Sequence, residues 1–319
     1  MLNPKMYLRV LFSILLFISA LAAGYVYDFS KKYPPPITNR ISFDAKLKFI
    51  RENINPDNID TIIVGSSIGL NNVIGSVLEK YSKRVTHALN LSVYEATTLQ
   101  VEQILELSDA FPNLKRIIYS AQYSDFPHAR RYENYNPELL RRFIRNELSP
   151  LALSKLLFDA CNNLLFCRER ENIWEKKHNQ KNKFTYLGFD HTGSVPLEIY
   201  GKEAVGGRWQ LPHPGVMHSE SFRAVFRMSA KAKEKGIKFY LAHQHYREPL
   251  VAQYKSVDNA IKYFDNKIED IFKQTNGILI PLQKVHLSDE YHADRSHLND
   301  KGAVIVSQKI AETIDKVEE

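Results

Sequence analysis

Only two cysteines, Cys161 and Cys167, occur in 319 residues. A chain of this length buries a core large enough to fold without a disulfide scaffold, and no metal-site spacing of His and Cys accompanies the pair. Long runs of one charge are missing too. The formal net charge is +7, but 43 basic residues are scattered among 36 acidic ones and gather only in pairs such as Arg130-Arg131 and Arg141-Arg142. A nucleic-acid interface requires basic residues clustered with aromatic ones, so nucleic acid is not expected as a partner. Internal repeats and low-complexity tracts are also absent. With 44% hydrophobic and 25% charged residues, the composition is that of an ordinary globular protein.

One long apolar run is present. Lys5 and Arg9 precede it, it extends from Val10 to Val26, and Lys31, Lys32 and Pro34-Pro35-Pro36 follow. About 17 to 20 apolar residues span a bilayer as a helix, and positive charges before the span favour a cytoplasmic N-terminus. The competing reading is a cleaved signal peptide, because Ala20-Leu21-Ala22 has the small-x-small form of a cleavage site. Either reading puts residues 39–319 outside the cytoplasm. With an uncleaved anchor, residues 1–38 are span and linker, and the proline triplet spaces the globule from the lipid. The cysteines suit that compartment. Lying six residues apart, they would face different sides of one helix. A disulfide therefore needs a break, which Asn162-Asn163 would supply; two free core cysteines are the alternative.

From residue 39 onward, short apolar strands alternate with helices. TIIVG (61–65), VTHALNL (85–91), KRIIYSA (115–121), GIKFYLAH (236–243) and ILIPL (278–282) read as five strands. Helices are expected over about 69–81, 96–110, 219–235, 257–274 and 301–317. The pattern predicts an α/β fold, a doubly wound, flavodoxin-like parallel five-stranded sheet covered on both faces. Residues of about 127–215 interrupt it. They hold helical stretches at 137–147 and 151–166, then a polar region (168–215) without clear periodicity. We read this as an insertion into one domain that either roofs the carboxyl ends of the strands, where open parallel sheets bind ligands, or is purely structural.

At the tip of the first strand stands Gly65-Ser66-Ser67. A glycine turn with a capping serine is the plain reading; a presented nucleophile is the other. A serine nucleophile needs a base, and the base a third group to fix its tautomer. Eleven histidines are available, and the chain's end selects among them. In YHADRSHLNDKG, Asp294 and His297 lie on a loop before the last helix, which Asn299 is placed to cap. Asp289 and His292 repeat the Asp-x-x-His spacing five residues upstream. His243 and His245, at the end of the fourth strand, lie on the same rim and are candidate substrate contacts. Trp174 and Trp209 in the insertion would stack on sugar rings or pack in a core.

Gly65-Ser66-Ser67 after the first strand, with Asp294 to Asn299 before the last helix, resembles the first and last sequence blocks of the SGNH (GDSL-like) hydrolases. The resemblance covers about 59–126 and 236–315. It implies a triad of Ser67, His297 and Asp294, with no cofactor and no metal. An oxyanion hole would use the backbone N–H groups of Ser67 and Ser92. Where the family carries a glycine in its second block this chain has Ser92, and the third-block asparagine is missing, leaving Gln122 or Ser124 as substitutes. These departures, together with the anchor, look like the membrane-tethered SGNH-like proteins of bacterial cell-envelope clusters, such as those of alginate O-acetylation and teichoic acid D-alanylation. Their resemblance implies a single-pass protein of the bacterial inner (cytoplasmic) membrane with its globule on the periplasmic side. Its partners would be an envelope polysaccharide acceptor and an acyl donor delivered by a membrane O-acyltransferase. The expected activity is acyl transfer through an acyl-serine. An esterase with the same triad, and a non-catalytic glycan-binding protein on this fold, are the alternatives.

Overall fold

A computed structural model describes residues 4–161, 163–178, 186–201, 217–253 and 255–319. The chain begins with a 29-residue helix, α1 (Pro4–Lys32), whose apolar side chains are exposed along most of its length. Its best window has a mean hydropathy of 2.2, which makes it long and apolar enough to cross a membrane. The last turns of α1 behave differently. Val26 and Phe29 are buried against Leu157 and the Cys161–Cys167 disulfide. Tyr25 and Tyr33 donate hydrogen bonds to Glu171, and Tyr33 also to Glu175. Pro34, Pro35 and Pro36 are buried as well. The proline triplet is therefore part of the globule and not the spacer the sequence suggested.

After α2 (Ile41–Asn53) come the five strands. They are β1 (Thr61–Gly65), β2 (Ala88–Asn90), β3 (Arg116–Ala121), β4 (Lys238–His243) and β5 (Ile278–Pro281). All pairings are parallel, in the order β2-β1-β3-β4-β5. Side chains alternate across a strand, and β1 shows the consequence. Ile62 and Val64 join one core with Tyr119, Leu241 and Phe264, while Ile63 joins the other with Ile118, Tyr240 and Ile310. Each such side chain removed from water contributes roughly 1.5–3 kcal/mol. A slip of one residue would exchange the two faces, so the pattern holds the register.

Behind β1 the expected helix is two, α3 (Ser67–Asn72) and α4 (Gly75–Tyr81), interrupted at Val73 and Ile74. The first face is covered by α5 (Thr98–Leu105) and, later in the chain, by two amphipathic helices over 219–234 and 255–275.

The inserted region packs on the body. In α6 (Pro137–Ile144), Leu140, Phe143 and Ile144 are buried in the larger core. The helix expected over 151–166 ends earlier, as α7 (Pro150–Ala160). Asn163 then accepts the N–H groups of Leu165 and Phe166 and opens α8 (Leu164–His178), in a stretch the sequence showed only as polar. That break between α7 and α8 lets Cys161 and Cys167 meet. Two further helices, α9 (Ser219–Glu234) and α10 (Glu248–Gln253), flank β4, and α11 (Lys255–Thr275) leads into β5. The last helix, α12 (Asp300–Val317), lays Val306, Ile310 and Ile314 on the second face beside Val77 and Leu78 of α4. Trp209 lies outside the described residues.

Candidate active site

In this strand order the chain steps from β1 outward to β2 and then crosses back past β1 to β3, so the winding reverses between the carboxyl ends of β1 and β3, the switch point of the sheet. Gly65 ends β1. A Cβ there would collide with the carbonyl oxygen of Ser120 on β3, so only glycine lets the two strands stay paired through this position. The next two serines divide the work. Ser66 has extended backbone angles and accepts the Ile68 N–H at 3.3 Å, capping α3. Ser67 is the first residue of the helix, and its hydroxyl is free of the capping role.

Ser67 Oγ lies 2.9 Å from His297 Nε2, and His297 Nδ1 lies 2.8 Å from Asp294 Oδ2. The pairing fixes the tautomer: Nδ1–H donates to the carboxylate and Nε2 is left to accept from the serine. Asp294 Oδ1 accepts the N–H groups of Ser296 and His297, each at 2.8 Å, so the carboxylate organises its own loop. Burial opposes its charge, but the hydrogen bond and charge of His297, with those two N–H groups, hold its pKa down at about 2. The loop is anchored at both ends. His297 O accepts from Ala293 N–H, and Asn299 caps α12 by accepting from Gly302 N–H at 3.0 Å.

The expected oxyanion donors are placed otherwise. Ser92 N–H donates to Asn90 Oδ1 at 2.9 Å, because the Asn90 side chain, buried at the end of β2, turns back onto the loop. Its Nδ2 meanwhile holds the carbonyls of Gly69 and Val73. Gln122 is also engaged: Nε2 donates to His245 O at 2.6 Å, and Oε1 accepts from Ser124. Of the three, only Ser67 N–H, in the first turn of a helix, lacks an acceptor within its own element. The hole expected from Ser67, Ser92 and Gln122 is not assembled in this arrangement.

Nor do His243 and His245 line an open rim. His243 is fully buried, with Nδ1 2.6 Å from Asp265 and Nε2 2.9 Å from the Tyr246 hydroxyl, so both ring nitrogens are used inside the protein. His245 is buried beside His292, ring centroids 5.2 Å apart, and burial followed by the charge of His292 lowers its pKa to about 4. Asp289 pairs with Arg247 and is not part of the serine relay.

Asp125 was missed from the sequence. Its carboxylate accepts Gln122 N–H at 2.9 Å and the hydroxyl of Ser66, and it feels the charge of His297. Burial raises its pKa to about 6 despite these partners. The three-residue spacing from Gln122, a capping box around the turn after β3, was the available signal.

No family model matches the sequence, and no curated protein matches it. Among solved structures it is similar to a protein described as lipolytic, of the G-D-S-L family, from Desulfitobacterium hafniense DCB-2. The two share 12% identity with a TM-score of 0.38, over 80% of this chain and 99% of that one.

Proposed function

We propose that this chain is an SGNH-type serine acyltransferase that acylates an envelope polysaccharide outside the cytoplasmic membrane. One observation carries the reading: Ser67, His297 and Asp294 stand in hydrogen-bonded series at the switch point of a parallel sheet. A lone hydroxyl is a poor nucleophile at neutral pH. Here His297 Nε2 takes the Ser67 proton as Oγ bonds to the acyl carbon, and Asp294 stabilises the imidazolium that forms. The Ser67 N–H stabilises the oxyanion. As the carbon–leaving-group bond breaks, the imidazolium returns its proton to the departing oxygen. An acceptor hydroxyl then attacks the acyl-serine and gives its proton to His297, which passes it to Ser67 Oγ as the bond from Oγ to the acyl carbon breaks. General-base assistance of this kind contributes typically a hundredfold to ten-thousandfold.

The acceptor half of the reading is supported by α1, which is apolar enough to hold the protein at a membrane and whose outer turns are packed into the globule. A membrane O-acyltransferase partner would supply the acyl group. An esterase uses the same steps with water as acceptor. The test is to incubate the full chain with p-nitrophenyl acetate, quench, and search the Ser67 peptide for an acetyl group by mass spectrometry. Transfer from that adduct to an added glycan, faster than its loss to water, is the expected result. Acetylation that is absent, or that survives in Ser67→Ala, sinks the triad.

A further inference from the structure

The helix α7, PLALSKLLFDA, is mostly apolar, yet none of its residues is fully buried. Ala152, Leu153 and Leu156 lean half-buried on the larger core, and Leu157 leans on the outer end of α1. That leaves Leu151 and Phe158, two turns apart on the other side of the helix, 81% and 43% exposed. The corner into α8 adds Leu164 and Leu165, 44% and 77% exposed. A single exposed leucine is ordinary on a protein surface, whereas apolar side chains gathered at one corner mark a contact.

The height of this corner along α1 says what covers it. The apolar run of α1 closes at Val26, and a run of that length takes up most of the hydrocarbon thickness of a bilayer. Val26 and Phe29 share one cluster with Leu157, Cys161 and Cys167, so the corner stands where lipid tails give way to headgroups. Tyr25 and Tyr33 stand in the same turns, as tyrosines of spanning helices do at the interface. The direction of α8 follows from its ties to them. Glu171 accepts from both Tyr25 and Tyr33, whereas Glu175, one turn later, accepts from Tyr33 alone. Hence α8 rises from the bilayer alongside α1, and its first residues point back toward the lipid. Leu165 precedes Glu171 by about 9 Å along the helix, which brings it level with Val26 or below.

The charges beside the apolar side chains suit headgroup phosphates. Lys155, one turn from Leu151 and Phe158, and Arg168, one turn from Leu164, are exposed and make no ion pair among the described residues. Their long stems can lie along apolar surface while the charged ends reach water. Asp159 is the exposed acid of the same stretch.

We propose that the α7–α8 corner is a second membrane contact, which sinks Phe158, Leu164 and Leu165 into the headgroup boundary of the bilayer that α1 crosses. The proposal rests on the reading of α1 as a span and is independent of the chemistry at Ser67. Touching the bilayer at two places, the globule is held against rocking about the end of α1.

The test reconstitutes the full chain in vesicles of phosphatidylethanolamine and phosphatidylglycerol. Photoreactive p-benzoylphenylalanine replaces one residue at a time: Phe158, Leu165, the mid-span Phe17, or Tyr81, which is exposed on α4 across the sheet. After illumination, mass spectrometry should find acyl-chain adducts at Phe158 and Leu165 about tenfold more often than at Tyr81, and at Phe17 as well. Adducts at Phe17 with none at Phe158 and Leu165 overturn the corner and leave the span standing. Their absence at Phe17 overturns the span, and the corner with it. Yields at Tyr81 equal to those at Phe158 and Leu165 overturn the proposal too. Cross-links from Phe158 or Leu165 to a second copy of the chain, in place of lipid, assign the surface to self-association and overturn the lipid contact.

Discussion

The side-chain oxygen of Asn72, last residue of the helix that Ser67 begins, accepts the backbone N–H of Leu298, the residue after His297, at 3.0 Å. Nucleophile and base come from positions 230 residues apart, and this one bond ties their two carriers together. Asn72→Ala leaves a buried N–H without an acceptor, at a cost of about 1–3 kcal/mol. It should lower kcat for p-nitrophenyl acetate more than tenfold while KM changes little. A kcat within twofold of the wild type would show that the two segments hold their geometry without it.

Ser67→Ala, His297→Ala and Asp294→Asn should each reduce turnover on the order of ten-thousandfold, with melting temperatures near wild type. Because the three act as a unit, the double and triple variants should be no worse than the singles. Ser66→Ala should keep much of the activity but lose the helix cap, at about 1 kcal/mol of stability. The comparison separates the two serines: a dead Ser66→Ala with an active Ser67→Ala reverses their roles.

Asp294 and Asp125 should oppose each other in pH dependence. Asp294 is held at about 2 in the folded state, below its usual value of 3.8. Its contribution to stability is full above the unfolded value and fades as pH falls toward 2. Asp125 is raised to about 6, so the folded protein keeps its proton longer than the unfolded chain. Its contribution is full below 3.8 and is lost as pH rises through 6. Urea denaturation from pH 2 to 7 should therefore show Asp125→Asn gaining on the wild type between about 4 and 7. Asp294→Asn should fall behind the wild type between about 2 and 4. Parallel curves for either variant contradict its shift.

His243→Ala removes one partner each from Asp265 and Tyr246, leaving Asp265 with Gln283 and the Tyr246 hydroxyl with the Tyr123 N–H. Loss of that buried network should cost about 2–4 kcal/mol, and KM for a soluble ester should stay put in whatever protein remains folded. A selective rise in KM with unchanged stability would restore His243 to the substrate rim.

Reduction of the Cys161–Cys167 disulfide opens a short loop, for which the chain-entropy account gives about 2 kcal/mol. Its effect should be local. Limited proteolysis of the Cys161→Ser/Cys167→Ser variant should cut first between α7 and α8 while the sheet remains resistant. Simultaneous loss of the whole fold would mean that α7 and α8 belong to the main cooperative unit.

The sheet was legible because each strand is a short apolar run with turn residues at its ends, and burial on both faces demands that composition. The positions of Ser67, His297 and Asp294 were readable for a related reason: all three sit at element boundaries that local sequence marks. Hydrogen-bond assignments were not. Nothing in the letters around Ser92 says that Asn90 will turn onto its N–H, and nothing around Gln122 says that His245 O will take its amide. Helix α8 escaped because RERENIWEKKH carries no apolar stripe. Among its side chains the buried ones are Cys167 and Arg170, and Arg170 is buried against Asp44, 126 residues away. The end of β4 was misjudged differently. His243 was placed on the rim by its position along the strand, whereas its alternation turns it inward toward Phe264, ring centroids 4.5 Å apart.

The buried prolines after α1, and the disulfide that grips its last turns, have a mechanical consequence. A flexible leash would let the catalytic face tumble and sample a hemisphere above its attachment point. Joined as it is, the globule stands on α1 as a head on a post, and when α1 lies in a bilayer the face has a set height and tilt. Encounters with another protein in the same plane then reduce to lateral drift and rotation about one axis, whereas a free polymer must thread in from the side that the post leaves open.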